Sequence, residues 1–167
     1  GKLNVDVTWT DADGESVETL TFNNTYRASG NVIPQATVTL TGRELSSGEF
    51  NFKLTQVQGP IPANDGRVVE TKANGRAAEG GNPADPAAID FSQLNYTQDD
   101  IGNTYTYKIS EDTPTEGGMT GDDSVYTMTV QVNDMGGGEL GFTVVYTKGD
   151  ETIDEIPVFN NIYKATG

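Results

Sequence analysis

Among the 167 residues there is no cysteine and no histidine, so any chemistry must rest on carboxylates, carboxamides, amines and hydroxyls. The two absences exclude Ser-His-Asp and Cys-His nucleophile pairs, thiolate or imidazole metal sites, and a disulfide framework. No metal and no cofactor is expected. Carboxylates are plentiful, 25 acidic against 10 basic side chains, for a formal charge of −15. Such a field repels nucleic acid and anionic lipid, so neither is an expected partner. No apolar run approaches the roughly 20 residues of a membrane span, and no signal-peptide pattern is present. Asp11-Ala12-Asp13-Gly14-Glu15 resembles part of a calcium loop but lacks the third ligand spacing and the distant bidentate glutamate. It reads instead as a polar hairpin turn built on Asp-Gly. Asp99-Asp100 and Asp122-Asp123 are expected to be solvated loop charges. A carboxylate-pair glycosidase is permitted by the acid count, but no aromatic cleft or recognisable acid spacing supports one.

The elements that must position any site are strands. Apolar residues alternate in residues 3–9 (Leu3, Val5, Val7, Trp9), and again at Phe50, Phe52 and Leu54. Tyr105, Tyr107, Ile109 and Glu111 share one face, as do Tyr126, Met128, Val130 and Val132. Period-two alternation rich in Thr, Val and aromatics marks antiparallel strands with one buried face. Turn chemistry separates them: Asp13-Gly14, Ser47-Gly48, Gly117-Gly118 and the triple glycine 136–138. Residues 57–90 carry four prolines and read as a long connection with one short strand near residues 67–71. A single turn of helix within residues 85–94 is the most helix the pattern allows. Regular strands without helices predict an immunoglobulin-like β-sandwich.

An internal repeat organises the whole. Residues 3–30 (LNVDVTWTDADGESVETLTFNNTYRASG) align without a gap to residues 140–167 (LGFTVVYTKGDETIDEIPVFNNIYKATG) at an offset of 137, with 11 of 28 positions identical. Chance at ordinary composition supplies roughly two. The simplest division makes residues 1–28 the C-terminal hairpin of a preceding repeat and 29–167 one complete repeat of a tandem array.

Four strings in order, LTGRELSSGEFNFKL (40–54), YTYKISE (105–111), YTMTVQV (126–132) and VFNNIY (158–163), resemble the pilin isopeptide-linkage domain of Gram-positive surface pili and adhesins. The resemblance implies an extracellular, cell-wall-attached protein. It also implies a lysine–asparagine amide bond tying the first strand of each sandwich to its last. That chemistry needs a buried neutral amine, a carboxamide that loses ammonia, and a protonated acid that polarises it. By resemblance Glu111 matches the acid and Asn161 the electrophile; Asn24 matches the electrophile of the preceding repeat. Val38 stands where the family keeps its lysine, and no lysine occurs between Lys2 and Lys53. Lys53 and Lys108 alternate with core residues and should face solvent. The expectation is a repeat without the bond, with Glu111 a vestigial acid and Asn161 its ordinary buried hydrogen-bond partner. A cross-link through another amine stays open.

Three functions fit this reading to different degrees. The first is a structural stalk repeat whose partners are its neighbouring repeats and which is not an enzyme. The second is an adhesive module contacting host glycan or matrix protein through residues 57–90 or exposed tyrosines, with Tyr96, Tyr105, Tyr107 and Tyr146 as the stacking platform. Loops on a rigid sandwich often carry recognition, although strand tyrosines usually pack into sheets. The glycosidase is third. The hairpin 3–26, carrying Val5, Val7, Trp9, Leu20 and Phe22, is expected to pack either on the complete repeat or on another copy.

Overall fold

The computed structural model describes residues 1–76, 85–112 and 117–165. Fourteen strands appear among them. Before the sandwich come β1 (Trp9–Thr10) and β2 (Ser16–Val17). Then follow β3 (Ser29–Val32), β4 (Gln35–Thr41), β5 (Asn51–Gln58), β6 (Arg67–Ala73), β7 (Ala87–Asp90) and β8 (Leu94–Thr97). The last six are β9 (Thr104–Glu111), β10 (Met119–Thr120), β11 (Val125–Gly136), β12 (Glu139–Lys148), β13 (Glu151–Ile153) and β14 (Val158–Tyr163). A four-stranded sheet runs β10–β14–β4–β7, and a larger one runs β6–β5–β9–β11–β12–β3–β8 with β13 added beside β12.

The expected sandwich is what forms, and the alternating side chains are what fill it. Val38, Leu40, Phe52, Leu54, Ile109, Met128, Val130, Val132 and Phe159 are all buried to 1% exposure or less. Phe159, from the small sheet, wedges between the layers, its ring 5.1 Å from both Phe52 and Tyr126 of the large one. Aromatic pairs at that spacing add to the area they bury. β4 and β14 lie side by side in parallel, with Val38 opposite Phe159 and Leu40 opposite Asn161. Strands far apart in sequence are therefore hydrogen-bonded neighbours at the centre of the small sheet.

Three expectations need correction. The strand near residues 67–71 extends to Ala73, and the 85–94 region holds β7 rather than a helical turn. Ala87 and Ile89 alternate inward against the core, so the small sheet captures a segment that begins directly after Pro86. Residues 3–8 form no strand; only Trp9–Thr10 pairs with Ser16–Val17. The turn between them is as expected, with Asp11 Oδ1 accepting from the N–H groups of Asp13 and Glu15 and Gly14 at φ +85°. The apolar face does not pack on the complete repeat, with Leu3 95%, Val5 78% and Phe22 82% accessible in the single chain. A hairpin without a covering layer cannot gain from its alternation.

Candidate functional site

The site is built on the last strand. Along β14, Phe159 and Asn161 point into the sandwich while Asn160 and Ile162 point out. Along β4, Ala36, Val38 and Leu40 point in. Directly paired residues of neighbouring strands share a face, so Val38 and Asn161 stand on one interior face two positions apart. From the opposite sheet, Glu111 comes in at the end of β9, paired with Phe52.

Asn161 is fully buried, and both ends of its carboxamide are held. Its Nδ2 donates to Glu111 Oε1 at 3.0 Å, and its Oδ1 accepts from the backbone N–H of Asp122 at 2.7 Å. Glu111 Oε2 is buried and has no hydrogen-bond partner among the described residues. Burial, helped by the nearby Asp122 carboxylate and opposed by the Asn161 N–H, raises the Glu111 carboxyl to about 7. A large neutral fraction therefore persists at physiological pH. Chemically, the Asp122 N–H polarises the carboxamide carbonyl, and Glu111 holds the nitrogen that would depart as ammonia. A carboxamide and a partly neutral carboxyl are thus in contact, and no lysine among the described residues is hydrogen-bonded or ion-paired to either. Val38 fills the adjacent interior with an aliphatic side chain.

The lysines are elsewhere. Lys53 pairs with Asp112 at 2.7 Å on the outer face, Lys72 with Glu70 at 3.4 Å, and Lys148 lies over the Tyr126 ring at 5.4 Å. Lys2, Lys108 and Lys164 are exposed, and Lys108 thus takes the orientation expected of it. Asn24 is exposed too, within the stretch outside the sandwich, so the arrangement around Asn161 is not repeated there.

Asp122 was the residue that sequence reasoning missed. Rather than being a solvated charge, its carboxylate accepts from the N–H groups of Ser124 and Asn160, fastening the loop before β11 onto β14. Burial works against its ionisation, but these hydrogen bonds prevail and hold the carboxyl below the ordinary aspartate range. An Asp-x-Ser pair is an Asx-turn signal that could have revealed it. Asp100 is likewise engaged, accepting from the Thr97 N–H at 2.7 Å and from the Tyr105 hydroxyl. The Leu-Thr-Gly-Arg step also has a reason. Gly42, at φ +96°, passes so close to the Tyr163 carbonyl that a Cβ would collide with it. Arg43 covers the Tyr163 ring at 4.9 Å while ion-pairing with Glu49. On the other side Gly118 meets the Lys164 carbonyl equally closely. The end of β14 is gripped from both flanks.

The four strand tyrosines pack as strand tyrosines usually do. Tyr96, Tyr105 and Tyr107 are buried, with the Tyr96 and Tyr107 hydroxyls 3.1 Å apart. Tyr146 is half-buried and its hydroxyl accepts from the Gln35 N–H at 3.0 Å. These rings are core packing and offer no flat face to a sugar. Part of the 57–90 connection, residues 77–84, lies outside the described residues.

Compared with known protein families, residues 34–164 match the model described as FctA, a Spy0128-like isopeptide containing domain. Among solved structures, the chain is similar to the major pilin protein (T-13) from Streptococcus pyogenes serotype GAS131465. The identity is 17% and the TM-score 0.54, over 86% of this chain and 56% of that one. A mutant of the major pilin from Streptococcus pyogenes is similar at 18% identity and a TM-score of 0.51, over 84% of this chain and 51% of that one. The chain thus spans a little over half the length of either pilin, and at these identities the likeness is one of fold. A comparison with curated protein sequences finds no match.

Proposed function

The chain belongs to the FctA family of Spy0128-like isopeptide-containing domains, and on that premise we propose that it is a shaft repeat of a Gram-positive surface pilus or adhesin that lacks the family's Lys–Asn cross-link. It works outside the cell, as part of a wall-attached protein, and its task is to carry load and performs no turnover. The observation that carries the reading is Val38. It is completely buried on the strand beside β14, on the face of the Asn161–Glu111 pair, where a lysine amine would otherwise have to sit. An orphaned Glu111 Oε2 supports it, since an amide or ammonium group at that place would have given this oxygen a partner.

The same reading divides the chain into residues 1–28, the end of a preceding repeat, and 29–167, a complete one. The division is supported by the hairpins: β1–β2 falls at the place in the first copy that β12–β13 occupies in the second, with residues 11–15 forming the turn in the first and residues 149–150 in the second. Neighbouring repeats are then the natural partners.

Pulling on the chain ends tests the proposal. Tension along the chain loads β4 and β14, and in this repeat only ladder hydrogen bonds and core burial resist it. The native domain should extend by the full contour length of its fold, whereas a Val38→Lys variant that has cross-linked should stop short by the residues between positions 38 and 161. Equal extension limits for native protein and a cross-linked pilin domain would contradict the proposal.

A further inference from the structure

We propose that the five residues Tyr26–Gly30 form a joint between repeats, an N-terminal strip that seats on the β11–β12 hairpin of the repeat it enters, and that the second copy of this strip, residues 163–167, does the same for the repeat that follows. The inference rests on the division at residue 28 and adds to it how successive repeats would be held.

Among the described residues, the sandwich engages this strip at consecutive positions. The Tyr26 hydroxyl donates to Asp134 Oδ1 at 2.7 Å, an oxygen that also accepts from the Gly136 N–H at 2.9 Å. The Arg27 carbonyl passes Gly138 so closely that a Cβ there would lie 3.0 Å from it. Ala28 is 4% exposed and its N–H donates to Gln98 Oε1 at 3.3 Å. The Ser29 N–H donates to the Gly138 carbonyl at 3.3 Å, and Ser29 pairs in parallel with Glu139. Gly30 lies against the Phe142 ring, where an added Cβ would come within 2.8 Å. Immediately before the strip the chain is exposed, with Phe22 82% accessible.

The receiving surface is the hairpin tip, and its glycines explain its shape. Gly136, Gly137 and Gly138 all take positive φ, between +65° and +89°, which turns the tip tightly enough for the strip to pass beneath. The sequence then supplies the other half. Tyr26-Arg27-Ala28-Ser29-Gly30 recurs as Tyr163-Lys164-Ala165-Thr166-Gly167, keeping the phenol, the cation, the small residue, the hydroxyl and the glycine in order. Three of these features have a use in the first copy: the phenol for the aspartate, the alanine for the shallow buried seat, the glycine for the aromatic ring. A following repeat with an acidic residue ahead of a glycine-rich β11–β12 tip would receive Tyr163 as Asp134 receives Tyr26. A rigid joint of this kind transmits tension without letting repeats swivel.

Amide exchange on the intact chain tests the joint. Tyr26→Phe and Asp134→Ala should each speed exchange at Ala28 and Ser29 about three- to tenfold, the factor one ordinary hydrogen bond supplies. The double variant should be no faster than Asp134→Ala alone, because both changes remove the Tyr26–Asp134 bond. Unchanged exchange, or effects that multiply in the double variant, would overturn the joint. For the second copy, the chain is extended at its C-terminus by another copy of residues 29–167. Protection at Ala165 should appear there and be lost on Tyr163→Phe or on Asp134→Ala in the added copy; no protection would overturn it. Removing residues 1–22 separates the two ideas. If the remainder loses its fold, the division at residue 28 fails, while the point variants of the intact chain still judge the joint on their own.

Discussion

Residues 3–26 and 140–163 carry the same pattern and meet opposite fates. Phe159 is fully buried between two sheets; Phe22, its counterpart, is 82% exposed. Asn161 is fully buried with both ends of its amide engaged, whereas Asn24 is exposed. Residues 139–148 make a ten-residue strand, but the first copy pairs at only two positions per strand. The difference is in what covers them. In the second copy the whole of 29–138 supplies β4, β9, β11 and the Asp122 loop; in the first copy no such layer is present. Alternation codes a preference for one face, and a second sheet is needed to turn that preference into stability.

The contrast can be broken most forcefully at its centre. Phe159→Ala should cost about 3–5 kcal/mol in urea unfolding, and Phe22→Ala under about 0.5 kcal/mol. Similar costs for both would mean the first copy is packed after all. Gly42→Ala should cost on the order of 3 kcal/mol, since it combines a strained positive φ with a collision against the backbone of β14. A merely marginal loss would show that β14 is not held there.

Glu111 gives a pH signature of intermediate size that the first copy lacks. Its folded value near 7 lies above the ordinary glutamate value of about 4.3. The folded state therefore binds the extra proton between those limits. The stability from this group is complete below about pH 4.3, falls as pH rises towards 7, and is level beyond. Glu111→Gln should remove that slope and leave the protein more stable than the parent at pH 8 by about 1–2 kcal/mol, a half-buried group being partly screened. Parallel stability curves for parent and variant over pH 5–8 would rule it out. Smallest of all is Asp11→Ala, which removes two turn hydrogen bonds in the exposed hairpin. It should shift global unfolding by under about 0.5 kcal/mol, because the hairpin is not coupled to the core.

The sandwich was legible because its strands are long and strictly alternating, as at Tyr105–Ile109 and Tyr126–Val132. The contact of Glu111 with Asn161 was legible in part: side-chain parity aimed each inward, and the family resemblance made them partners. What escaped were features made by backbone rather than by side-chain pattern. Asp122 acts on Asn161 through its N–H, which every residue type but proline possesses, so nothing in its identity announces the role. Gly42 and Gly118 matter for what their missing Cβ permits 121 and 46 positions along the chain, at Tyr163 and Lys164. β7 was obscured by prolines on its approach, although two inward residues sufficed once β4 offered an edge. The exposure of residues 3–8 could not be read at all from a segment whose own periodicity is sound.

Electrospray mass of the folded chain, with Val38→Lys measured beside it, reaches the account at its root. The native protein should weigh what its 167 residues sum to. In the variant, the new amine should attack the Asn161 carboxamide carbon and expel ammonia, with Glu111 relaying the proton, so its mass should fall short by one ammonia. A native chain already lighter by that amount would contradict the account, and so would a folded lysine variant that keeps its full mass.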